Sequence, residues 1–423
     1  MALATASKPA TSHVRWVICA LLFFATVIAY VDRNVLAQIE KMLEGILNFD
    51  SAQYGKMTGA FQAGYAIGML VAGRLTDRLG TRKAFSLAIF FWSLAAMTPG
   101  MATSALTLGI AMFLLGLGES ANFPASIKTI AEWFPQRERA TAVGIFNSGA
   151  NIGSMAAPLL VPVLAFGFGW RGAFVAAGAT GFVWLAFWLK IYAKPEEHPK
   201  VSSGELELIL SDPVQRVESV PWARLFPCKE TWAFALAKFF TDPVWWLYTF
   251  WLPRMVQGTF GLTPGQSAFP VAMAFAASMV GSVGGGWISS AMLKRGRSVN
   301  VSRKAAMLLC AICVVPVMYA PFSKNLWVMV ALVGLAAAAH QGWSANLFTL
   351  VSDMFPKAAI GSVVGIGGTV GAIGGVLTQV AAGYVVKATN SYTPLFLTAG
   401  TAYLVALAII QALAPKLAPA KVD

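Results

Sequence analysis

Of 423 residues, 57% are hydrophobic and only 12% are charged, and the mean hydropathy is +0.66. Soluble domains carry about 25% charged residues, so this composition excludes a soluble globular protein and points to a chain that crosses a membrane repeatedly. A net charge of +13 would suggest nucleic acid in a soluble chain; in a membrane protein it is first a question of which loops carry it, and no nucleic-acid partner is needed.

Residues 1–14 are short and polar. The apolar run from Trp16 to about Gln38 outlasts the roughly 7–15 residue core of a signal peptide and lacks a small-residue cleavage site, so it reads as a retained helix. Near its far end, Ala29-Tyr30-Val31-Asp32-Arg33-Asn34 places opposite charges side by side, where each costs roughly 2.5–3.5 kcal/mol. Either the two neutralise each other as a structural bridge, or Arg33, with Tyr30 beside it, holds an anion while Asp32 carries a proton. The expense of the placement favours the second reading.

Eleven more runs of spanning length follow at about 52–72, 84–102, 105–131, 140–164, 171–193, 231–254, 266–290, 303–322, 326–350, 360–387 and 392–414. The expected fold is therefore all-α, with twelve transmembrane helices and both termini on one side. With the termini cytoplasmic, the outside loops hold only Lys41, Lys56, Arg171, Arg254, Lys324 and Lys387, and Arg33 and Lys238 lie in the membrane. The rest of the 31 Lys and Arg fall inside, which is the arrangement that positive charge favours.

A polar stretch from about Lys194 to Glu230 divides the helices six and six. Pro195, Pro199, Pro213 and Pro221 interrupt it, and Ser202-Ser203-Gly204-Glu205 reads as a capping box opening a short helix through Leu210. The expected organisation is an N-terminal half over 1–193, a cytoplasmic linker over 194–230 and a C-terminal half over 231–423. Two such halves are the usual build of a secondary transporter, with substrate bound between them near the midplane. An echo supports the repeat: a basic loop follows the second helix (Arg74 to Lys83) and the eighth (Lys294 to Lys304).

The first of these loops, Gly73-Arg74-Leu75-Thr76-Asp77-Arg78-Leu79-Gly80-Thr81-Arg82-Lys83, closely resembles the helix 2/3 signature of the major facilitator superfamily. Gly73 suits close helix approach, Asp77 suits a cap or a pair across a cytoplasmic gate, and Arg78, Arg82 and Lys83 hold the inner face. The loop reads as topology and gating, not as substrate chemistry.

In Gly116-Leu117-Gly118-Glu119-Ser120-Ala121-Asn122-Phe123-Pro124, Glu119 lies about halfway along the fourth helix, at a depth matching Asp32 and Arg33. It reads either as a helix–helix hydrogen bond or as a second proton carrier. If it faces Arg33, an arriving anion competes with it for the guanidinium, which would tie substrate to proton. Next, Glu132-Trp133-Phe134-Pro135 has a counterpart in Asp353-Met354-Phe355-Pro356. Together with Tyr30-Val31-Asp32-Arg33, Gly118-Glu119-Ser120 and the Asn147-Ser148-Gly149 region, this segment resembles the anion:cation symporter branch of the superfamily, and within it the hexuronate transporters. One departure is Met112, where many relatives have an arginine; its absence leaves more of the work to Arg33.

The second half carries Lys238 and Asp242 four residues apart in the seventh helix, a local ion pair or a substrate contact. Trp245, Trp246 and Tyr248 fit a sugar-binding wall or an interfacial aromatic belt, and Trp251 reads as belt. The tenth helix carries His340-Gln341-Gly342-Trp343-Ser344-Ala345-Asn346, in which His340, Gln341, Trp343 and Asn346 suit sugar hydroxyls and stacking. The eleventh is glycine-rich from Gly361 to Gly375, suited to close sliding contact. Cys19, Cys228, Cys310 and Cys313 read as buried thiols.

No P-loop or HExxH motif is present, so an enzyme is not expected, and energy must come from an ion or substrate gradient. The resemblance implies a proton-coupled symporter of a sugar-acid anion such as galacturonate or glucuronate, in the inner (plasma) membrane. It implies no cofactor beyond the coupling proton, a small organic anion and the lipid bilayer as partners, and a monomer. Alternatives are another organic anion (aldonate, aldarate or aromatic acid), sodium in place of the proton, or a transporter-like receptor that does not turn over.

Overall fold

A computed structural model describes residues 12–211 and 221–420, apart from the surroundings of Gly73 and the side chains of Arg74, Asp77, Ala140, Trp222, Val283, Lys357 and Ala358. Among the described residues every regular element is helical. The helices are α1 (Val14–Leu47), α2 (Ser51–Leu79), α3 (Thr81–Met97), α4 (Ala105–Glu119), α5 (Asn122–Trp133), α6 (Gln136–Ile191), α7 (Ser203–Ile209), α8 (Trp222–Leu225), α9 (Lys229–Phe260), α10 (Pro264–Lys294), α11 (Val299–Val314), α12 (Leu326–Met354), α13 (Lys357–Thr389) and α14 (Thr393–Leu413). Nine helical segments among the described residues are long and apolar enough to cross a membrane.

Local chemistry sets the breaks. The long run α6 carries one non-helical residue, Gly169, at φ 71° and ψ 166°, a region open essentially to glycine alone. Its two limbs fold back on each other there: the Cys19 thiol donates to the Ala142 carbonyl, while two residues along α1 the Leu21 carbonyl accepts from Trp184 Nε1. The run expected as one helix over 105–131 is interrupted at Ser120 and Ala121. Pro124 follows, and it has no N–H to return to the Ser120 carbonyl.

Small residues bring helix pairs to close range. An added Cβ at Gly64 would lie 2.1 Å from the Phe113 carbonyl oxygen and one at Gly116 2.1 Å from that of Phe61, so α2 and α4 touch backbone to backbone. Gly281 and Gly285 of α10 meet Ala338 and Gly342 of α12 in the same way. Gly149 and Gly153 seat α6 on Phe23 and Val27 of α1, and Gly371 and Gly374 seat α13 on Asp242 and Phe239 of α9. Gly361 and Gly368 have open space around them, so the glycine-rich face of α13 is only partly used.

Apolar side chains are also turned outward. Leu106, Phe168, Trp287 and Val280 are 73%, 71%, 70% and 75% exposed, which is costly in water but suits a hydrocarbon solvent. Buried polar groups sit between the helices instead.

Two sequence expectations are corrected here. Ser202 does cap α7, accepting from the Glu205 N–H, but Glu205 does not close the box. Its carboxylate turns to the start of α1, accepting from Val14 N (3.1 Å), Arg15 N (3.1 Å), Arg15 Nη1 (3.0 Å) and the Ser12 hydroxyl. Orphan N–H groups at a helix start attract a carboxylate from any element in reach. Trp251 is no belt residue: it is 1% exposed, and its Nε1 donates to Gln379 Oε1 at 2.7 Å.

Candidate functional site

The centre of the bundle is built on α1. Successive residues on a helix point about 100° apart, so Asp32 and Arg33 cannot share a partner surface, and they do not pair with each other. Asp32 accepts a hydrogen bond from Trp92 Nε1 of α3 at 2.8 Å. Arg33 turns to α4, where Nε and Nη2 reach Glu119 Oε2 at 3.0 and 2.7 Å. Arg33 is 3% exposed and Glu119 fully buried.

Around the guanidinium lies a cage of rings. Its Cζ is 4.1 Å from the Tyr30 ring centroid, 5.3 Å from Phe61, 5.4 Å from Tyr65 and 5.2 Å from Trp246. Rings within about 6 Å attract a cation by their quadrupole. Tyr30 and Arg33 are thus brought together as expected, and Glu119 joins them. Phe61 and Tyr65 went unnoticed in the sequence, because an aromatic pair in an apolar helix carries no signal of its own. Trp246 was noticed only as part of an aromatic run.

The other expected residues form a second cluster. Lys238 Nζ pairs with Asp242 Oδ2 at 2.7 Å, beneath the Phe348 ring at 4.8 Å. His340 stacks flat on Trp245, 5.1 Å between centroids, with its Nδ1 2.6 Å from the Tyr403 hydroxyl. Gln341 Nε2 donates to Asn151 Oδ1 at 2.8 Å, and the Ser278 hydroxyl donates to the same oxygen at 3.2 Å. Asn151 of α6 thereby ties α10 and α12 together, a role the sequence did not suggest. Three residues are engaged elsewhere: Tyr248 lies against Phe396, Trp343 against Tyr403, and Asn346 Nδ2 donates to the Gly285 and Gly342 carbonyls at 2.9 Å. Of the expected gate, Arg78 is exposed in the last turn of α2, and the surroundings of Gly73 and the side chain of Asp77 lie outside what the structure describes.

At the end of the bundle remote from the termini, polar bonds join α1 and α2 to α9 and α13. Arg254 pairs with Glu40 and Glu44 and donates to Ser51 Oγ at 2.9 Å; Gln257 Nε2 donates to the Gln38 carbonyl at 3.1 Å; Tyr54 donates to the Phe250 carbonyl at 2.5 Å; Lys387 pairs with Asp50 at 2.8 Å. Above them opens a polar cavity of about 460 Å³ lined by Lys41, Glu44, Arg254 and Tyr392.

Buried charges at helix crossings, set in a helical chain with an apolar exterior, are what a membrane transporter requires, and the family model for the Major Facilitator Superfamily matches residues 22–379. The chain belongs to the Major Facilitator Superfamily. It is therefore a multi-pass membrane transporter and not an enzyme. Two curated relatives are 30% identical to it. They are the probable galactarate/D-glucarate transporter GudP of Bacillus subtilis (strain 168), over 399 residues covering 90% of this chain and 88% of the relative, and the hexuronate transporter of Escherichia coli (strain K12), over 390 residues covering 90% of each. The crystal structure of a D-xylose-proton symporter superposes with a TM-score of 0.75 at 14% identity, covering 96% of this chain and 98% of that one, which speaks to the fold.

Proposed function

We propose that this superfamily member is a secondary active symporter that carries a sugar-acid anion, a hexuronate such as galacturonate or glucuronate, into the cell with protons. The observation that carries the reading is the Arg33–Glu119 pair, a buried cation held by one carboxylate oxygen inside a cage of four rings. An arginine has five N–H donors in a planar fork, and Glu119 uses two. An arriving carboxylate takes the remaining donors and competes with Glu119, which releases that carboxylate to accept a proton. Asp32, held among the described residues only through Trp92, is the second carrier. Trp245, His340 and Gln341 offer stacking and amide contacts to the sugar from the opposite side.

The proposed organisation is twelve spans in two six-helix halves, 1–193 and 231–423, joined by a cytoplasmic linker, in an inner membrane and monomeric. Recurrent pairing supports it: α1 with α6 and α2 with α4 in the first half match α9 with α13 and α10 with α12 in the second. Glu132 accepts from Thr81 at the start of α3, as Asp353 pairs with Arg303 near the start of α11. The bonded end at Arg254 supports a conformation closed to the outside, with both termini and the Gly73, Asp77 and Arg78 gate on the cytoplasmic side.

A dicarboxylic aldarate is a second reading, favoured by the second intramembrane cation, Lys238, and by the GudP relative. Uptake of labelled galacturonate, glucuronate and galactarate into vesicles holding the purified protein decides, measured with an imposed inward proton gradient and after its collapse by an uncoupler. Gradient-driven accumulation of a hexuronate that the uncoupler abolishes is the expected result. Accumulation of galactarate alone selects the second reading, and no accumulation of any acid overturns both.

A further inference from the structure

Gln62 of α2 is 1% exposed, and among the described residues neither its Oε1 nor its Nε2 has a hydrogen-bond partner. A buried primary amide left this way keeps the full cost of losing water, so its presence calls for a reason. Its position supplies one. Gln62 follows Phe61 and precedes Tyr65 by three residues, and both of those rings lie against the Arg33 guanidinium. A Cβ added at Gly375 of α13 would sit 3.6 Å from Gln62 Cδ and 3.6 Å from Trp246 Cδ1. The amide and the indole therefore close on the same point, and that indole is the one facing Arg33 at 5.2 Å.

A purely structural amide looks different, and one turn away the same interface shows how. Gln379 of α13 leaves its Nε2 without a partner among the described residues, but spends its Oε1 on the Thr58 hydroxyl at 3.1 Å and Trp251 Nε1 at 2.7 Å, fastening α2, α9 and α13 together. Gln62, four residues from Thr58 and beside Gly375, makes no such bond.

We propose that Gln62 is the residue that reads the hydroxyl groups of the substrate next to the carboxylate held by Arg33. A primary amide offers two donors and an acceptor, which suits neighbouring hydroxyls that each both donate and accept. The rings and cation around it serve any carboxylate, hydroxylated or not. Gln62 is thus the point at which a polyhydroxy acid is told from a plain one, since a site built to bond a hydroxyl rejects the analogue that lacks it.

This inference rests on the sugar-acid reading, and the test separates the two. Kd values for galacturonate and for hexanoate are measured on the purified wild type and on Gln62→Met and Gln62→Leu by calorimetry, alongside the Tm of each without ligand. Wild type that binds neither acid or prefers hexanoate overturns the hexuronate reading, and this inference with it. Given a wild type that prefers galacturonate, the variants are expected to weaken galacturonate by about tenfold to a hundredfold, to leave hexanoate within about twofold, and to raise the unliganded Tm by removing the orphaned amide. A preference that survives both substitutions overturns the role of Gln62 while the sugar-acid reading stands, as does a lowered Tm with both acids weakened equally, which marks a structural amide.

Discussion

Arg33 meets Glu119 through a single carboxylate oxygen: Nε and Nη2 both reach Oε2, at 3.0 and 2.7 Å, and Oε1 has no partner among the described residues. A parallel two-oxygen fork would engage both carboxylate oxygens; here Oε1 stays open to a proton, and Arg33 keeps three of its five N–H donors for a competing anion.

Glu119→Gln is therefore expected to abolish gradient-driven accumulation while sparing exchange of substrate across vesicles, because the amide cannot carry the proton but leaves Arg33 in place. Arg33→Ala removes the anion's cation, so uptake is expected to be lost, and it strands Glu119, which is expected to cost about 3–5 kcal/mol of stability. Accumulation that persists in both Glu119→Gln and Asp32→Asn would remove these carboxylates from the coupling step.

Arg254 is the knot of the far-end contacts, bound to Glu40, Glu44 and Ser51. Arg254→Ala leaves Glu40 buried without its cation and is expected to populate a state open at that end. In a protein stripped of its four cysteines, Thr58→Cys lies fully buried under this layer. Its labelling by a water-soluble thiol reagent is expected to quicken about tenfold or more when Arg254 is removed, for a lost coupling of about 1.4 kcal/mol. An unchanged rate would show that Arg254 does not hold the end shut.

Glu205 predicts a pH dependence. Burial pushes its carboxyl up, but the Ser12 hydroxyl, the Arg15 backbone and guanidinium and the Val14 N–H outweigh it and hold the group below the ordinary glutamate range. A carboxyl lowered on folding stabilises the protein fully above its unfolded value, near 4.3, and that contribution is lost as pH falls through the lowered folded value. Glu205→Gln is expected to lower Tm by about 1–3 °C at pH 7. Thermal unfolding scans from pH 7 downward are expected to show this gap to wild type closing below the ordinary range.

Gly281 and Gly284 lie three residues apart on α10 and should behave oppositely. A Cβ at Gly281 would lie 1.8 Å from the Ala338 carbonyl oxygen, whereas one at Gly284 meets nothing within 4 Å. Gly281→Ala must spread α10 from α12 and is expected to cost about 1–3 kcal/mol or more, read as a lower Tm and poorer yield of monodisperse protein. Gly284→Ala is expected to leave both near wild type.

Much of this protein was decided by its sequence alone. Composition and apolar runs imposed a helical membrane chain, because a bilayer leaves the backbone only helices or closed barrels, and continuous apolar runs of about 20 residues fit helices. The loop from Gly73 to Lys83 pointed to the superfamily, and the rarity of intramembrane charge singled out Asp32, Arg33, Glu119, Lys238 and Asp242. The local pair Lys238–Asp242 was also legible, since residues four apart on a helix face each other.

Which charge meets which was decided only by the tertiary structure. Asp32 and Arg33 are neighbours in the chain, yet one bonds Trp92 and the other Glu119, because the helix turns their side chains toward different neighbours. The same holds for the rings that cage Arg33, for Trp251 drawn inward to Gln379, and for Glu205, which leaves its own helix to cap α1. Hydropathy and spacing set how deep a residue lies and which face of its helix it shares. They carry no information on the azimuth at which one helix packs on another, and that angle is what assembles a binding site from residues far apart in the chain.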